Sequence, residues 1–366
     1  MLQIVFFVLF LIGYISLINN TVRPIEKSNK IIAWSSFVIL FILAGFRDFS
    51  IHNDTIPYVK HFLDSKSPGS FWIIDDSDRF EPGYQIYENI VHLYISDNPV
   101  IFNVVSAFIV LIAFYIFAQK YCKNFGFLII LYFLSNQYLT QIGVLRQSFA
   151  VIFFYGMYIC LDKKKYLLSI LFLYLAYNMH HSSALLVLLY GCFFFKPNKY
   201  NIRIMIVVSL VLFLAYSYFI NGFIEDSRYL TESAEKGFFN MTGFASFINA
   251  CVYLFTILKL RKSVGWEDKE DPMFMISILH CIVALLSIRI WIFVRFSMFF
   301  MPIILIYLSN LIEKSRNKSY GKSYGNFLIV YSTLVFFFLL YVRPEWYSIY
   351  PYKFINGLNT NISSFL

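Results

Sequence analysis

Apolar runs of about 16 to 20 residues recur along the whole chain, and this repetition constrains the fold more than any other feature. A bilayer-crossing helix needs roughly 20 apolar residues. Within hydrocarbon every backbone N–H and C=O must be paired inside the protein, which leaves only helices and closed barrels. The alternating ten-residue pattern of a membrane barrel is missing. Charged residues make up 14% of the chain, against roughly 25% in a soluble domain. The expected fold is an all-α polytopic membrane protein, with residues 1–366 forming one integral membrane domain.

The apolar runs at 1–18, 31–46, 99–118, 125–142, 147–161, 166–179, 182–195, 204–220, 243–258, 273–289, 292–311 and 327–342 predict about twelve transmembrane helices. Several fall short of the ideal length, notably 166–179. A re-entrant hairpin through 166–195 would lower the count to ten. The first run has neither a basic leading segment nor a small-residue cleavage site, so it is expected to be a retained helix. Cys122, Cys160, Cys192, Cys251 and Cys281 are scattered without paired spacing and read as ordinary apolar residues.

Lysine and arginine fix the expected orientation, because positively charged loops stay cytoplasmic. One alternating set of connections, "RPIEKSNK", "QKYCKN", "DKKK", "KPNKYNIR", "KLRKSVGWEDKED" and "EKSRNKSYGK", holds 19 of the 30 basic residues and 7 of the 21 acids. That set is expected to face the cytoplasm. Both termini and the segments 47–98, 221–242 and 343–366 then lie outside. The net charge of +9 is therefore an orientation signal and implies no nucleic-acid partner.

Segment 47–98 is too long for a simple connector. Pro82 marks a helix start, and Tyr84, Tyr87, Val91 and Tyr94 follow at helical spacing. The pattern predicts a short amphipathic helix lying on the membrane surface.

Arg47, Arg146, His180, His181, Arg289 and Arg295 all fall at span ends on the predicted outer rim. An arginine there is often an interfacial anchor, and a histidine a helix cap. Arg146 is singled out because Gln147 beside it extends a polar entry into an otherwise apolar span. No HExxH or similar ligand spacing predicts a metal site, and the acids Asp75, Asp76 and Asp78 read as a solvated loop. No glycine-rich phosphate loop predicts nucleotide hydrolysis. Arginine forks facing outward match phosphate or pyrophosphate, and a lipid pyrophosphate in the outer leaflet is the expected guest.

The stretches "GFRDFSIHNDTIPYVKHF", "EPGYQIYENIV", "LRQSFAVIFF", "MHHSSALLVLL", "RIWIFVRFSMFFMP" and "YPYKF" occur in this order between Arg47 and Phe354. Together they resemble the Wzy-type O-antigen and exopolysaccharide polymerases, in the EpsG-like branch. The resemblance implies a metal-independent glycosyltransferase of the bacterial cytoplasmic (inner) membrane, without cofactors and with its active site facing outward. It would move a growing glycan from undecaprenyl pyrophosphate onto the next undecaprenyl-pyrophosphate-linked oligosaccharide. Besides that substrate and membrane lipids, it allows a chain-length regulator as a partner.

The resemblance carries roles onto particular residues. Arg47, Asp54, Thr55 and Tyr58 match the first motif, Glu81 and Tyr84 the second, and Arg146 and Gln147 the third. His181 matches a histidine motif through Ser183 and Ala184. The implied catalytic residues are Arg146 with His181 or Asp54 as base. Arg47, Arg146, Arg289 and Arg295 would bind pyrophosphate, while Tyr58, Glu81, Tyr84, Gln147 and His180 would position sugars. The arginine-aromatic segment ends "FSMFF" where the family pattern often has a tyrosine. Two other activities compete. An O-antigen ligase would carry its large external loop late in the chain, whereas here it is early. A lipid-linked oligosaccharide flippase would line the inner halves of its spans with charge, and these are nearly free of it.

Overall fold

The computed structural model describes residues 1–65, 69–75, 78–215, 240–265 and 270–355. Among these the regular elements are helices, joined by one isolated antiparallel bridge between Arg47 and Phe354. Packing divides the chain into two compact units, Met1–Leu185 with Gly325–Leu366, and Leu186–Tyr324.

Among the described residues six helices are long and apolar enough to cross a membrane: Leu2–Thr21 (α1), Ile25–Gly45 (α2), Pro99–Tyr121 (α5), Met241–Val264, Phe293–Lys314 and Ser319–Val342. Phe125–Leu134 (α6) and Gln137–Gly143 (α7) make a seventh if counted as one broken span, since they are bent by 65°. The expected twelve is thus not supported. Tyr166–Met179 (α9), His181–Phe194 and Asp271–Leu286 are apolar, but none exceeds 16 residues. At 1.5 Å per residue α9 is only about 21 Å long, against a hydrocarbon core of about 30 Å. Leu145–Asp162 (α8) has 18 residues but holds Arg146, Gln147 and Asp162 at its ends. The expected external segment 221–242 lies outside the described residues up to 239, as do Asp76 and residues 356–366.

In the first unit, polar side chains tie the helices together where the surroundings offer no water. Tyr115 of α5 donates to Ser36 of α2 at 3.0 Å, and Asn103 donates to the Gly45 carbonyl at 2.7 Å. The ring of Phe117 stacks on Tyr155 of α8 with centroids 4.4 Å apart. The break between α6 and α7 falls at Asn136, which adopts a left-handed φ of 60°; asparagine tolerates this better than most residues.

Two further helices, Thr55–Asp64 (α3) and Pro82–Tyr94 (α4), fill the segment between α2 and α5. Pro82 occupies the first turn of α4, where its missing N–H costs nothing. The predicted helix is present, but it does not lay its aromatic stripe on a membrane. Tyr84, Tyr87 and Val91 are buried in a cluster with Tyr58, Phe62, Phe80, Phe102, Leu145 and Phe149, and only Tyr94 of the stripe is exposed. An apolar stripe requires an apolar neighbour, and here that neighbour is protein. The opposite side of α4 holds down the preceding loop. Gln85 Nε2 donates to the Phe80 carbonyl at 2.7 Å, and Asn89 Nδ2 to that of Ile73 at 2.7 Å.

In the second unit, buried ion pairs join helix ends rich in charge. Arg261 meets Asp271 at 2.7 Å with its guanidinium over the Phe274 ring, and Lys314 meets Glu270 at 2.7 Å.

Candidate active site

The site is assembled where α4, α8 and the end of α9 meet. Gly83 lets them approach. A Cβ added there would stand 2.8 Å from the Asn178 carbonyl oxygen and 3.0 Å from its carbon, a backbone clash that only glycine avoids. Directly before Gly83 and Pro82, Glu81 takes the N-cap position of α4 in extended conformation, yet its side chain makes no cap hydrogen bond. The side chain points instead to α8 and to the α9 terminus.

Glu81 Oε2 receives Arg146 Nη1 at 2.7 Å, across 65 residues of sequence. Its other oxygen, Oε1, lies 3.2 Å from His180 Nδ1 and accepts the His181 backbone N–H at 3.3 Å. The Ser182 N–H donates to His180 Nδ1 at 3.3 Å. Nδ1 thus stands between a backbone donor and a carboxylate: unprotonated it accepts from the Ser182 N–H, and carrying a proton it pairs with the ionised Glu81. Glu81 is only 6% exposed. Burial raises its pKa, but the His180 contact and the Arg146 charge outweigh that and bring it to about 2. The carboxylate is therefore ionised at any physiological pH.

Arg146 is held from several sides. Nη1 also donates to the Arg79 carbonyl at 3.2 Å, and the guanidinium lies 4.4 Å from the Phe80 ring centroid, a cation–π distance. The Tyr58 hydroxyl sits against the same guanidinium. Burial raises the pKa of Tyr58, Arg146 opposes the rise, and the charge of Asp54 adds to it. Asp54 is thus electrostatically within reach of the cluster, from the N-cap position of α3. Tyr84 is fully buried below, its ring 5.6 Å from that of Tyr58. Its hydroxyl and the Gln147 Nε2 are buried and have no hydrogen-bond partner among the described residues.

Other predicted residues stand elsewhere. The Arg47 guanidinium is 1% exposed and donates to the Ala44 carbonyl at 2.5 Å and the Ile142 carbonyl at 2.6 Å. Burial lowers its pKa to about 10, so it remains charged. It is a cation placed on the C-terminal carbonyls of α2 and α7, where helix dipoles favour positive charge. The segment around it is stitched to the motif "YPYKF". Asp48 N–H donates to the Lys353 carbonyl and Ile355 N–H to that of Phe46, each at 3.0 Å, and the Tyr352 hydroxyl donates to the Leu43 carbonyl. The ring of His181 lies on Tyr177, with centroids 4.7 Å apart, so it is the His180 ring that reaches Glu81. Arg289 and Arg295 belong to the second unit. There Arg289 lies 4.8 Å from the Phe213 ring centroid, and Arg295 sits in the 3-10 turn Trp291–Phe296.

Sequence reasoning did not find Phe80, Arg79 or Gly83. The dipeptide Pro82–Gly83 was the available signal, a helix start followed by a residue that permits close approach. It also missed a second cluster on the same loop. His61 Nε2 lies 2.7 Å from Asp78 Oδ2, and its Nδ1 lies 2.7 Å from Glu88 Oε2, close enough to pair although not aligned as a hydrogen bond.

The motifs that supply Arg146, Glu81 and His180 fall within one match to known proteins, as residues 30–354 fit the family model for the EpsG family. The chain belongs to the EpsG family. EpsG-like polymerases are of the Wzy type, and the several apolar helices agree with a multi-pass membrane protein of the polysaccharide-polymerase kind. Neither a curated relative nor a solved structure matches this EpsG-family chain.

Proposed function

We propose that this EpsG-family protein polymerises a polysaccharide by passing a growing glycan from undecaprenyl pyrophosphate onto the sugar of the next lipid-linked repeat unit. The reaction takes place at the outer face of a bacterial cytoplasmic membrane. The observation that carries the reading is the convergence of Arg146, Glu81 and His180 from three separate elements. The connections "RPIEKSNK" and "QKYCKN" at one end of the helices Ile25–Gly45 and Pro99–Tyr121 are basic, which favours placing segment 47–98, at their other end, outside.

In this reading the acceptor hydroxyl oxygen attacks the anomeric carbon of the donor glycan. The bond from that carbon to the pyrophosphate oxygen breaks, and the pyrophosphate leaves with the electron pair. Arg146 stabilises the charge that develops, in a site largely closed to water. The acceptor proton passes to Nε2 of His180, whose Nδ1–H is oriented by the Glu81 carboxylate, as in other carboxylate–imidazole pairs. Asp54 tunes Tyr58, and Tyr58, Tyr84 and Gln147 are proposed to position the sugars beside Arg146. Arg289 and Arg295 are proposed as further pyrophosphate-binding residues.

The test is the surface-polysaccharide banding pattern of cells lacking the gene, complemented with wild type or with Arg146→Ala. Single repeats without the gene, a ladder with wild type and single repeats with the stably inserted variant are expected. Long chains accumulating on the lipid carrier would indicate a ligase, and a full ladder with the variant would contradict the role of Arg146.

A further inference from the structure

We propose that Glu81 holds the place of the donor pyrophosphate in the empty site, and that the donor, by displacing it, arms His180. This rests on the reading of Arg146 as the pyrophosphate contact.

The two oxygens of Glu81 are divided between different partners. Oε2 takes Arg146 Nη1 at 2.7 Å, while Oε1 faces His180 Nδ1 at a looser 3.2 Å. A carboxylate and a phosphate oxygen compete for the same guanidinium N–H groups. In a site this buried the two anions repel each other strongly, so they cannot share Nη1. An incoming pyrophosphate carries more charge than one carboxylate, so it takes Nη1, and Oε2 gives way.

The released carboxylate has no reason to leave the site. It sits at the N-terminus of α4, whose first N–H groups carry the positive end of the helix dipole, and the His181 N–H still points at Oε1. Freed from Arg146, it closes on His180 and shortens the 3.2 Å contact. A stronger Nδ1–H···O bond makes Nε2 the better base. Without donor, Arg146 and Glu81 neutralise each other and His180 is held only loosely. Proton removal from the acceptor is thereby tied to the presence of a donor.

The experiment uses the full-length protein in nanodiscs, with farnesyl pyrophosphate as the probe and wild type, Glu81→Gln and Arg146→Ala compared. Binding about tenfold tighter in Glu81→Gln than in wild type is expected, with binding lost in Arg146→Ala. In elongation assays Glu81→Gln should lower both kcat and the donor KM. Equal or weaker binding by Glu81→Gln, with Arg146→Ala still defective, would overturn the placeholder and leave the Arg146 reading intact. Equal binding by wild type and Arg146→Ala would overturn that reading itself. Should Glu81→Gln fail to fold, histidine-labelled wild type decides. Farnesyl pyrophosphate should move the His180 Nδ1 proton resonance downfield, and an unchanged or upfield resonance overturns the proposal.

Discussion

Arg47 and Arg146 pose one question in the sequence and receive two answers in the structure. Each is a charge at the end of an apolar run, and each lies in a motif of the same family resemblance. Arg47 ends on the carbonyls of Ala44 and Ile142, which belong to helix termini and cannot exchange their partner. Arg146 ends on the Glu81 carboxylate, beside an aromatic ring and a histidine contact, and a carboxylate can be traded for another anion. Burial alone therefore does not distinguish structural from functional arginines. What separates these two is the acceptor: fixed carbonyls hold Arg47, and a carboxylate holds Arg146.

The largest break in this comparison should come from His180. Replacing it with alanine is expected to reduce elongation by about 10²- to 10⁴-fold, while His181→Ala, whose ring lies on Tyr177, should cost far less. Product ladders from the two variants at equal protein amounts give the answer; equal losses would undo the preference for His180.

Next comes Arg47→Ala, which should act on stability. Leaving the Ala44 and Ile142 carbonyls buried without their charged donor is expected to cost about 3 kcal/mol, seen as a lowered unfolding temperature in detergent. Arg47→Lys should recover part of it, since the carbonyls need a cation but not a specific fork. A stable Arg47→Ala protein that fails only in elongation would move Arg47 into the chemistry.

Gly83→Ala sharpens the comparison from the side of geometry. Its Cβ must push α4 from the Asn178 backbone, separating Glu81 from His180 while keeping both side chains in the chain. Misplacements near 1 Å can cost up to about a hundredfold in rate. A tenfold drop in elongation with intact insertion is expected, and an unchanged rate would show that the α4 contact does not set the site.

The smallest effect is that of pH on the His61 clamp. Burial lowers the pKa of His61, but its contacts with Glu88 and Asp78 outweigh this and raise it above 6.5. The stabilisation is thus full below pH 6.5 and is lost as pH rises through the raised folded value. Asp78 is shifted the other way: burial raises its pKa, but His61, the Phe80 N–H and Arg79 together lower it below 3.8. Its share is present above 3.8 and lost as pH falls through the lowered value. Glu88, raised by burial against the pull of His61 and His92, opposes the clamp above pH 4.5. Thermal unfolding should show stability declining on the alkaline side of 6.5, and His61→Gln should flatten that decline. A variant with the wild-type profile would place the titration elsewhere.

The sequence revealed some of this and concealed the rest for identifiable reasons. Hydropathy found the apolar helices but not which of them cross, because a 14-residue run such as α9 has the composition of a span without its length. The stripe on α4 announced an apolar neighbour, but periodicity does not say whether that neighbour is lipid or the Phe80–Phe149 core. Motif order brought Glu81, Arg146 and the histidine pair to attention. Their pairing, between residues 65 and about 100 positions apart, depends on tertiary packing. The choice of His180 over His181 rests on the extended backbone of His180 at φ −160°, which no local pattern shows. "YPYKF" read as a family mark, and the structure gives it a physical purpose: closing the chain over the Arg47 segment.

The central claim is that the chemistry depends on Arg146. Its most direct test is elongation of lipid-pyrophosphate-linked repeats by purified Arg146→Ala in proteoliposomes, with the unfolding temperature measured on the same preparation. The expected result is a loss of about 10²- to 10³-fold in rate, the scale of removing one preorganised donor to developing charge, measured at a temperature where the variant, destabilised by the unpaired Glu81 carboxylate, is still folded. A variant that elongates at the wild-type rate would contradict the account.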